Sequence, residues 1–390
     1  MKKTIILFFI AVFISVSIHS QPRIWNMTTM ENAKINSSEA IKLIIKEADK
    51  NLNKTILSVM DKEMTPPSGD KHDYWSSGRY WWPDPKKADG LPYIRKDGVV
   101  NREIDNLDRS PLSTMSKSVT TLSLAYYFTN DEKYAEKAVQ NLRIWFINKK
   151  TKMNPNMNFG QTIPGHNNGK GRGEGLIDTY SFIEMLDGIE LLKKSDEFLK
   201  KDRLVLNDWF SAYLEWMLTS EIAQQEFNAR NNHGTAYDVQ VTRYALFVGK
   251  DEIAKRFINE FPERRIFAQV EPDGSQPLEL ARTTALGYSI FNITHFLDMC
   301  CIAKSLNIDL INSTSTDGRN ISKAIHYLSN FAGKSESEFP YKQIKEWDSK
   351  QKELIWLLYR ADKFVSKPVY QKFYSNNNSE VNKKVELLFY

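Results

Sequence analysis

Cysteine is nearly absent: the 390 residues hold two, Cys300 and Cys301, and they are adjacent. Neighbouring cysteines can close only a strained small ring, so no disulfide framework holds this chain together. They read as small core residues of an apolar helix, and a chain of this length has core enough to need no staple. Metal-ligand spacing is missing as well: His233 has no partner at i+4 and no spaced cysteine pair exists, so neither metal nor cofactor is expected. Charge of one sign is scarce. The net charge of +5 is no nucleic-acid footprint, though it suits a local basic cleft for an acidic polymer. Segments alternating with period 2 are almost lacking. Beyond residues 4–18 no apolar run is read as long enough to span a bilayer.

The N-terminus supplies the first positive signal. Lys2 and Lys3 precede the uncharged apolar run 4–18, and His19-Ser20-Gln21 offers a small residue at a cleavable junction. This is the pattern of a secretory signal peptide over 1–20. No cysteine follows it for a lipid anchor. The expectation is an exported chain, periplasmic or secreted, with no membrane anchor and a net charge of +3 once Lys2 and Lys3 are gone. No Pro/Ser linker divides 21–390, which is expected to form one domain and to act as a monomer.

Apolar residues at helical spacing recur through most of that stretch. They predict helices over 38–52, 112–128, 132–147, 176–193, 199–226, 236–247, 252–267, 278–306, 321–332, 347–364 and 381–388. Short polar turns such as Asn130-Asp131 join them. Successive helical hairpins in one chain predict an all-α fold, a curved array or an α/α toroid, with long loops lining a cleft.

Two stretches break the pattern. The first, 64–110, holds Gly78-Arg79-Tyr80-Trp81-Trp82-Pro83-Asp84-Pro85 and Gly90-Leu91-Pro92-Tyr93. A loop this long in a helical chain is functional or disordered, and its aromatic content argues against disorder. Arg79, Tyr80, Trp81 and Trp82 together can neutralise a carboxylate and stack on a pyranose ring; packing among the loop's own aromatics is the plainer reading. The second, 154–175, is glycine-rich and carries His166, Arg172 and Glu174. Its Lys170 is not followed by Ser or Thr, and no strand precedes it, so it is not a phosphate loop. It reads as a mobile cleft edge, with His166 and Arg172 as candidate substrate contacts.

A third polar island, Asn231-Asn232-His233-Gly234, lies between two apolar helices, just before Tyr237. Two amides and an imidazole are costly to bury without partners. One reading is a helix N-cap, which Asn serves well; the other is a functional site. Both stand on the sequence alone. His72 is a further cleft candidate, whereas His295 and His326 read as packed histidines.

Three of these motifs together resemble the alginate lyase superfamily. They are the run Gly78 to Pro85 with Gly90-Leu91-Pro92-Tyr93 and Asp97-Gly98-Val99-Val100-Asn101, then Asn231-Asn232-His233-Gly234, then Gln276-Pro277-Leu278-Glu279-Leu280-Ala281-Arg282 with Tyr288. They occur in family order across residues 74–296. The resemblance implies an α/α toroid, an incomplete barrel of helical hairpins, that cleaves uronate polysaccharides such as alginate by β-elimination. It places the catalytic set on Asn232, His233, Arg282 and Tyr288, with Asn231 and Tyr237 nearby. Some relatives space the Arg and Tyr by seven residues; here the spacing is six. Six residues turn a straight helix by about 240°, so the two side chains converge only where a helix starts or bends.

The implied chemistry needs these residue types. A uronate lyase removes the C5 proton beside a carboxylate and expels the oxygen at C4. The carboxylate's charge must first be neutralised, a task for Asn232 and Arg282. A base must then reach C5 and an acid O4. Tyr288 can serve as both when the groups lie on one side, as in mannuronate; His233 can take the proton from the other side, as guluronate requires. A cationic neighbour such as Arg282 is expected to lower the Tyr288 pKa. Rival readings are a lyase on another uronate polymer such as glucuronan, a glycoside hydrolase using two of Glu174, Asp178, Asp238 and Glu279, and a glycan-binding protein without chemistry. In each the partner is an acidic polysaccharide.

Overall fold

Helix boundaries in this protein are set by caps and interruptions more than by the apolar stripe. A computed structural model describes residues 21–36, 38–102, 107–375 and 386–389. The expected signal peptide, and most of the expected helix 381–388, lie outside the described residues. In chain order come α1 (Met27–Asn36), α2 (Ser38–Leu52), the strands β1 (Trp75–Ser77), β2 (Trp81–Trp82) and β3 (Ile94–Arg95), then α3 (Arg109–Thr129) and α4 (Glu132–Leu142). The α3–α4 hairpin shows the local logic. Asn130 ends α3 in the left-handed region (φ 56°), donating its N–H to Tyr126 O, and the Asp131 carboxylate caps α4 by accepting from Lys133 N.

After β4 (Phe159–Thr162) follow α5 (Phe182–Leu192), α6 (Lys200–Thr219), α7 (Glu221–Phe227), α8 (Asn232–Phe247), α9 (Asp251–Phe261) and the short α10 (Phe267–Gln269) and α11 (Pro277–Leu280). Then come α12 (Ala285–Lys304), α13 (Ile321–Ser329), α14 (Trp347–Asp362) and α15 (Gln371–Tyr374). Several long expected helices are interrupted, 132–147 among them by a π-helical turn over Arg143–Ile147. Extended backbone at Ser220 splits 199–226 into α6 and α7. A π-helical turn opening on Pro262 ends α9. The expected continuous helix 278–306 is two helices separated by 281–284.

The helices form the expected α/α toroid. α3 packs against α2, α4 and α5; α8 packs against α5, α6, α9 and α12; α12 packs against α13 and α14. Buried apolar side chains from Ile24 to Phe389 form one continuous core. α12 is, by length and composition, long and apolar enough to cross a membrane, contrary to the sequence reading, but most of it is buried and it works as a core helix. Cys300 and Cys301 lie on it, free and buried. His295 is buried there too, whereas His326 is exposed on α13 rather than packed.

Of two small sheets, one joins the irregular stretches and the other lies within the first. β1 pairs with β4 in parallel, so the 72–102 and 154–179 segments lie side by side; β2 and β3 form an antiparallel pair. The glycine-rich segment is tied down instead of being a mobile edge. Gly171 N donates to Asn158 O and Arg172 N to Gly160 O. A Cβ on Gly171 would sit 2.6 Å from Gly160 O, so these glycines serve close backbone packing.

Candidate active site

Both irregular segments, the α7–α8 junction, the α11–α12 break and the start of α14 enclose one cavity of about 1520 Å³. Arg79, Tyr80, Trp81, Arg172, Asn231, Asn232, His233, Arg282 and Tyr288 all line it, so the expected catalytic set and most expected substrate contacts share one space.

Asn231 is the N-cap of α8, its side chain accepting from His233 N at 3.2 Å. The capping reading holds, and it does not exclude the other: the cap fixes the first turn, and that turn places Asn232 and His233 on the cavity lining. Arg265 braces the junction from behind, donating to Ala229 O and Phe227 O while paired with Asp238. A Cβ at position 234 would lie 2.0 Å from Ala229 O, which is why glycine follows the histidine.

Two buried acids orient this turn: Glu279, weighed from the sequence only as a hydrolase carboxylate, and Glu226, not singled out there. Glu279 on α11 accepts from both Asn232 N and Asn232 Nδ2 at 2.7 Å. Glu226 at the end of α7 accepts from His233 Nδ1 at 2.6 Å, and His233 Nε2 takes no protein partner among the described residues. Burial works against the imidazolium, but Glu226, with Glu174 and Glu279 further off, outweighs it and raises the His233 pKa above its ordinary 6.5.

The break between α11 and α12 resolves the six-residue spacing. Arg282 lies in the break and Tyr288 in the first turn of α12, so they are not fixed at 240° on one helix. Arg282 Nη2 donates to the Tyr288 hydroxyl at 2.8 Å, and the guanidinium lies 3.7 Å from the ring centroid. Asp97 holds Arg282 through Nη2 (2.6 Å) and Nε (3.2 Å), and accepts from Thr283 N and Oγ1. Its other neighbour is Arg95, 2.9 Å away. Although burial opposes ionisation, these donors hold the Asp97 carboxyl well below the usual range.

The Tyr288 hydroxyl donates to the Tyr80 hydroxyl at 3.1 Å. Its pKa is raised, against the expectation from Arg282. Burial and Tyr80 push it up, Asp97 adds to them, and Arg282 only partly offsets them. In the free site the phenol is protonated.

The opposite wall is built on Asp178, which accepts from Arg109, Tyr74, Ser76 and Gln161. Arg172 donates to Gln161 and Glu174, and its guanidinium lies 5.8 Å from the Trp81 ring centroid. Gln161 holds a left-handed backbone (φ 50°), a costly conformation for a non-glycine residue that this network over-determines.

Three expected contacts are not brought to the cavity. Tyr237 is fully buried, packs on Phe227 and Phe257, and donates to Met217 O. Trp82 donates to Val99 O and lies under Lys96, outside the lining. His166 stands edge-on to Trp81 and is hydrogen-bonded to Tyr93 O, backing the wall and not facing the cavity. His72, bound to Lys152 O, is likewise outside.

The carboxylates a hydrolase would need are engaged. Asp238 is clamped by Arg264 and Arg265, Glu279 by Asn232, Asp178 by four side chains, and Glu174 by Arg172. Of these four, none is without a hydrogen-bond or ion-pair partner. Among the described residues no cluster of three His, Cys, Asp or Glu is placed to hold a metal.

Comparisons with known proteins bear on the family and the fold. The family model described as Alginate lyase matches residues 58–339. No curated protein matches the sequence. The crystal structure of an alginate lyase from Bacteroides ovatus is similar over 95% of this chain and 99% of its own, at 53% identity and a TM-score of 0.92. Alginate lyase A1-III from Sphingomonas species A1 is similar over 92% of both chains at 14% identity, with a TM-score of 0.53. A variant of alginate lyase A1-III complexed with a tetrasaccharide reaches a TM-score of 0.59 at 13% identity, over 89% of this chain and 88% of its own. The two A1-III structures speak to the fold alone. The family match and the 53% identity go further: this chain belongs to the alginate lyase family.

Proposed function

We propose that this protein is an exported polysaccharide lyase that cleaves alginate by β-elimination and leaves an unsaturated uronate end. The observation that carries the reading is the convergence of Arg282, Tyr288, Asn232 and His233 on one cationic cavity. Arg282 and the second amide hydrogen of Asn232 neutralise the carboxylate next to C5, which makes its proton removable. Tyr288, protonated in the free site, donates to the departing O4. His233, fixed by Glu226 with Nε2 left over, takes the C5 proton from the face opposite the phenol, as guluronate requires. For mannuronate, Tyr288 serves both steps, and only its ionised fraction can begin the reaction.

The wall of Trp81, Arg172 and Arg79 supports binding of an acidic sugar chain, by stacking and by charge. Export rests on Lys2, Lys3 and the apolar run that follows. The direct test is the ultraviolet absorbance of unsaturated product on a panel of uronate polymers. Absorbance growing on alginate is expected. No absorbance on alginate while glucuronan is cut would move the substrate, and none on any polymer would sink the reading.

A further inference from the structure

The cavity has a wall that none of the catalytic steps uses. The start of α14 and the residue before Glu346 bring Lys345, Lys350, Lys352 and Trp356 to it, with Glu346 and Glu353 as the only acids of this wall among the described residues. All lie beyond residue 339, where the family match ends.

This wall is joined to the catalytic turn by backbone. Ala285 N donates to Lys342 O, and Ile344 N to Thr283 O, so the chain just ahead of α14 runs antiparallel to the link between Arg282 and Tyr288. The Lys350 side chain lies across Gly287, where a Cβ would sit 3.1 Å from its Cε. Lys350 is spoken for: Nζ holds both Glu353 oxygens at 2.7 and 2.8 Å. Lys345 and Lys352 have no ion pair among the described residues, so they remain available to an anion. The Trp356 ring is backed by the Arg360 guanidinium at 5.5 Å and by the edge of Phe389.

Two uncommitted ammonium groups beside a supported indole suit a sugar that carries one carboxylate and one apolar face. We propose that the 345–356 wall is a distal subsite for one uronate residue of a longer chain. Lys345 and Lys352 take its carboxylate and Trp356 takes the face of its ring. The proposal rests on the alginate lyase reading above and extends it to substrate length: polymer should be favoured over oligosaccharides too short to reach the wall.

The test compares kcat/KM on alginate polymer with kcat/KM on the shortest uronate oligosaccharide the enzyme cuts, by ultraviolet absorbance. For Lys345→Gln/Lys352→Gln the polymer-to-oligosaccharide ratio should fall about tenfold, the size of effect two solvated charge pairs can supply. The lost part should be the salt-sensitive part of the wild-type ratio. Lys345→Arg/Lys352→Arg should restore the ratio. Trp356→Leu, which changes no charge, should lower it as well, separating a subsite from long-range attraction alone. An unchanged ratio in the lysine double variant, or a ratio that moves with the charges but not with Trp356, overturns the subsite while leaving the lyase reading intact. A wild-type enzyme that cuts no uronate polymer overturns both.

Discussion

At the scale of single residues, Arg282, the proposed partner of the substrate carboxylate, already carries a counter-ion. Asp97 fixes its orientation and dilutes its charge, adding to the burial and the Tyr80 contact that hold the Tyr288 phenol protonated. Replacing Asp97 with Asn should therefore have two separable effects. Loss of the clamp should lower kcat/KM on mannuronate and guluronate polymers alike, on the order of tenfold or more. The weaker negative field should let Tyr288 ionise more readily, moving the alkaline limb of the mannuronate profile to lower pH. A limb that stays in place would remove Asp97 from the electrostatics of the phenol. In the proposed mechanism His233 sets the other profile. As a base it must be neutral, and Glu226 holds its pKa above 6.5, so the guluronate rate should rise through a midpoint above that value. Glu226→Gln removes the raising charge and should move that midpoint down. A midpoint that moves up or stays would exclude His233 as the titrating base. Asp97 stood in a motif of the sequence but its role did not, because it and Arg282 are 185 residues apart and nothing local in either segment names the other.

At the scale of elements, the decisive feature is the break at 281–284. Periodicity was legible along 278–306, and apolar residues do continue through it. The stop was not legible, because what stabilises it comes from elsewhere. Gln343 Oε1 accepts from Leu286 N and Gly287 N, capping α12 with a residue 56 positions away. The α8 start was readable for the opposite reason: its cap, Asn231, is the neighbouring residue. Gln343 is buried, and Gln343→Ala should leave two α12 N–H groups unpaired, at about 1–3 kcal/mol in urea unfolding. Activity should fall more than folding does, since the cap sits one residue from Tyr288. Retained stability and activity would show that solvent can cap this helix. The loops divide similarly. Their aromatic and basic content pointed to Trp81 and Arg172, which line the cavity, but which way each ring faces depended on pairing the sequence does not mark: Trp82, opposite Ile94 in the β2–β3 pair, lies outside the lining, and His166 stands edge-on behind Trp81. Gly171→Ala should cost about 1–3 kcal/mol, because the added carbon meets Gly160 backbone atoms that cannot give way.

At the scale of the whole molecule, helical hairpins hold walls drawn from segments as distant as Arg79 and Trp356 around one cavity. The class of fold was legible because amphipathic periodicity repeats for most of the chain; the closing contacts were not. Asp187 is one of them. Fully buried on α5, it accepts from the backbone of Arg23, Ile24 and Trp25 and pairs with Arg243, tying the start of the described chain into the core. Asp187→Ala would strand a buried guanidinium and three N–H groups, for a loss of about 3–5 kcal/mol. The central claim, that this architecture exists to present one phenol to a uronate, is tested most directly by Tyr288→Phe. The measurement is the rate of ultraviolet-absorbing product on separate mannuronate-rich and guluronate-rich polymers, with circular dichroism to confirm folding. Removal of one oxygen should abolish cleavage of both polymers, a loss on the order of 100-fold or more, with helical content unchanged. Near wild-type rates on both would contradict it and reduce Tyr288 to a packing residue.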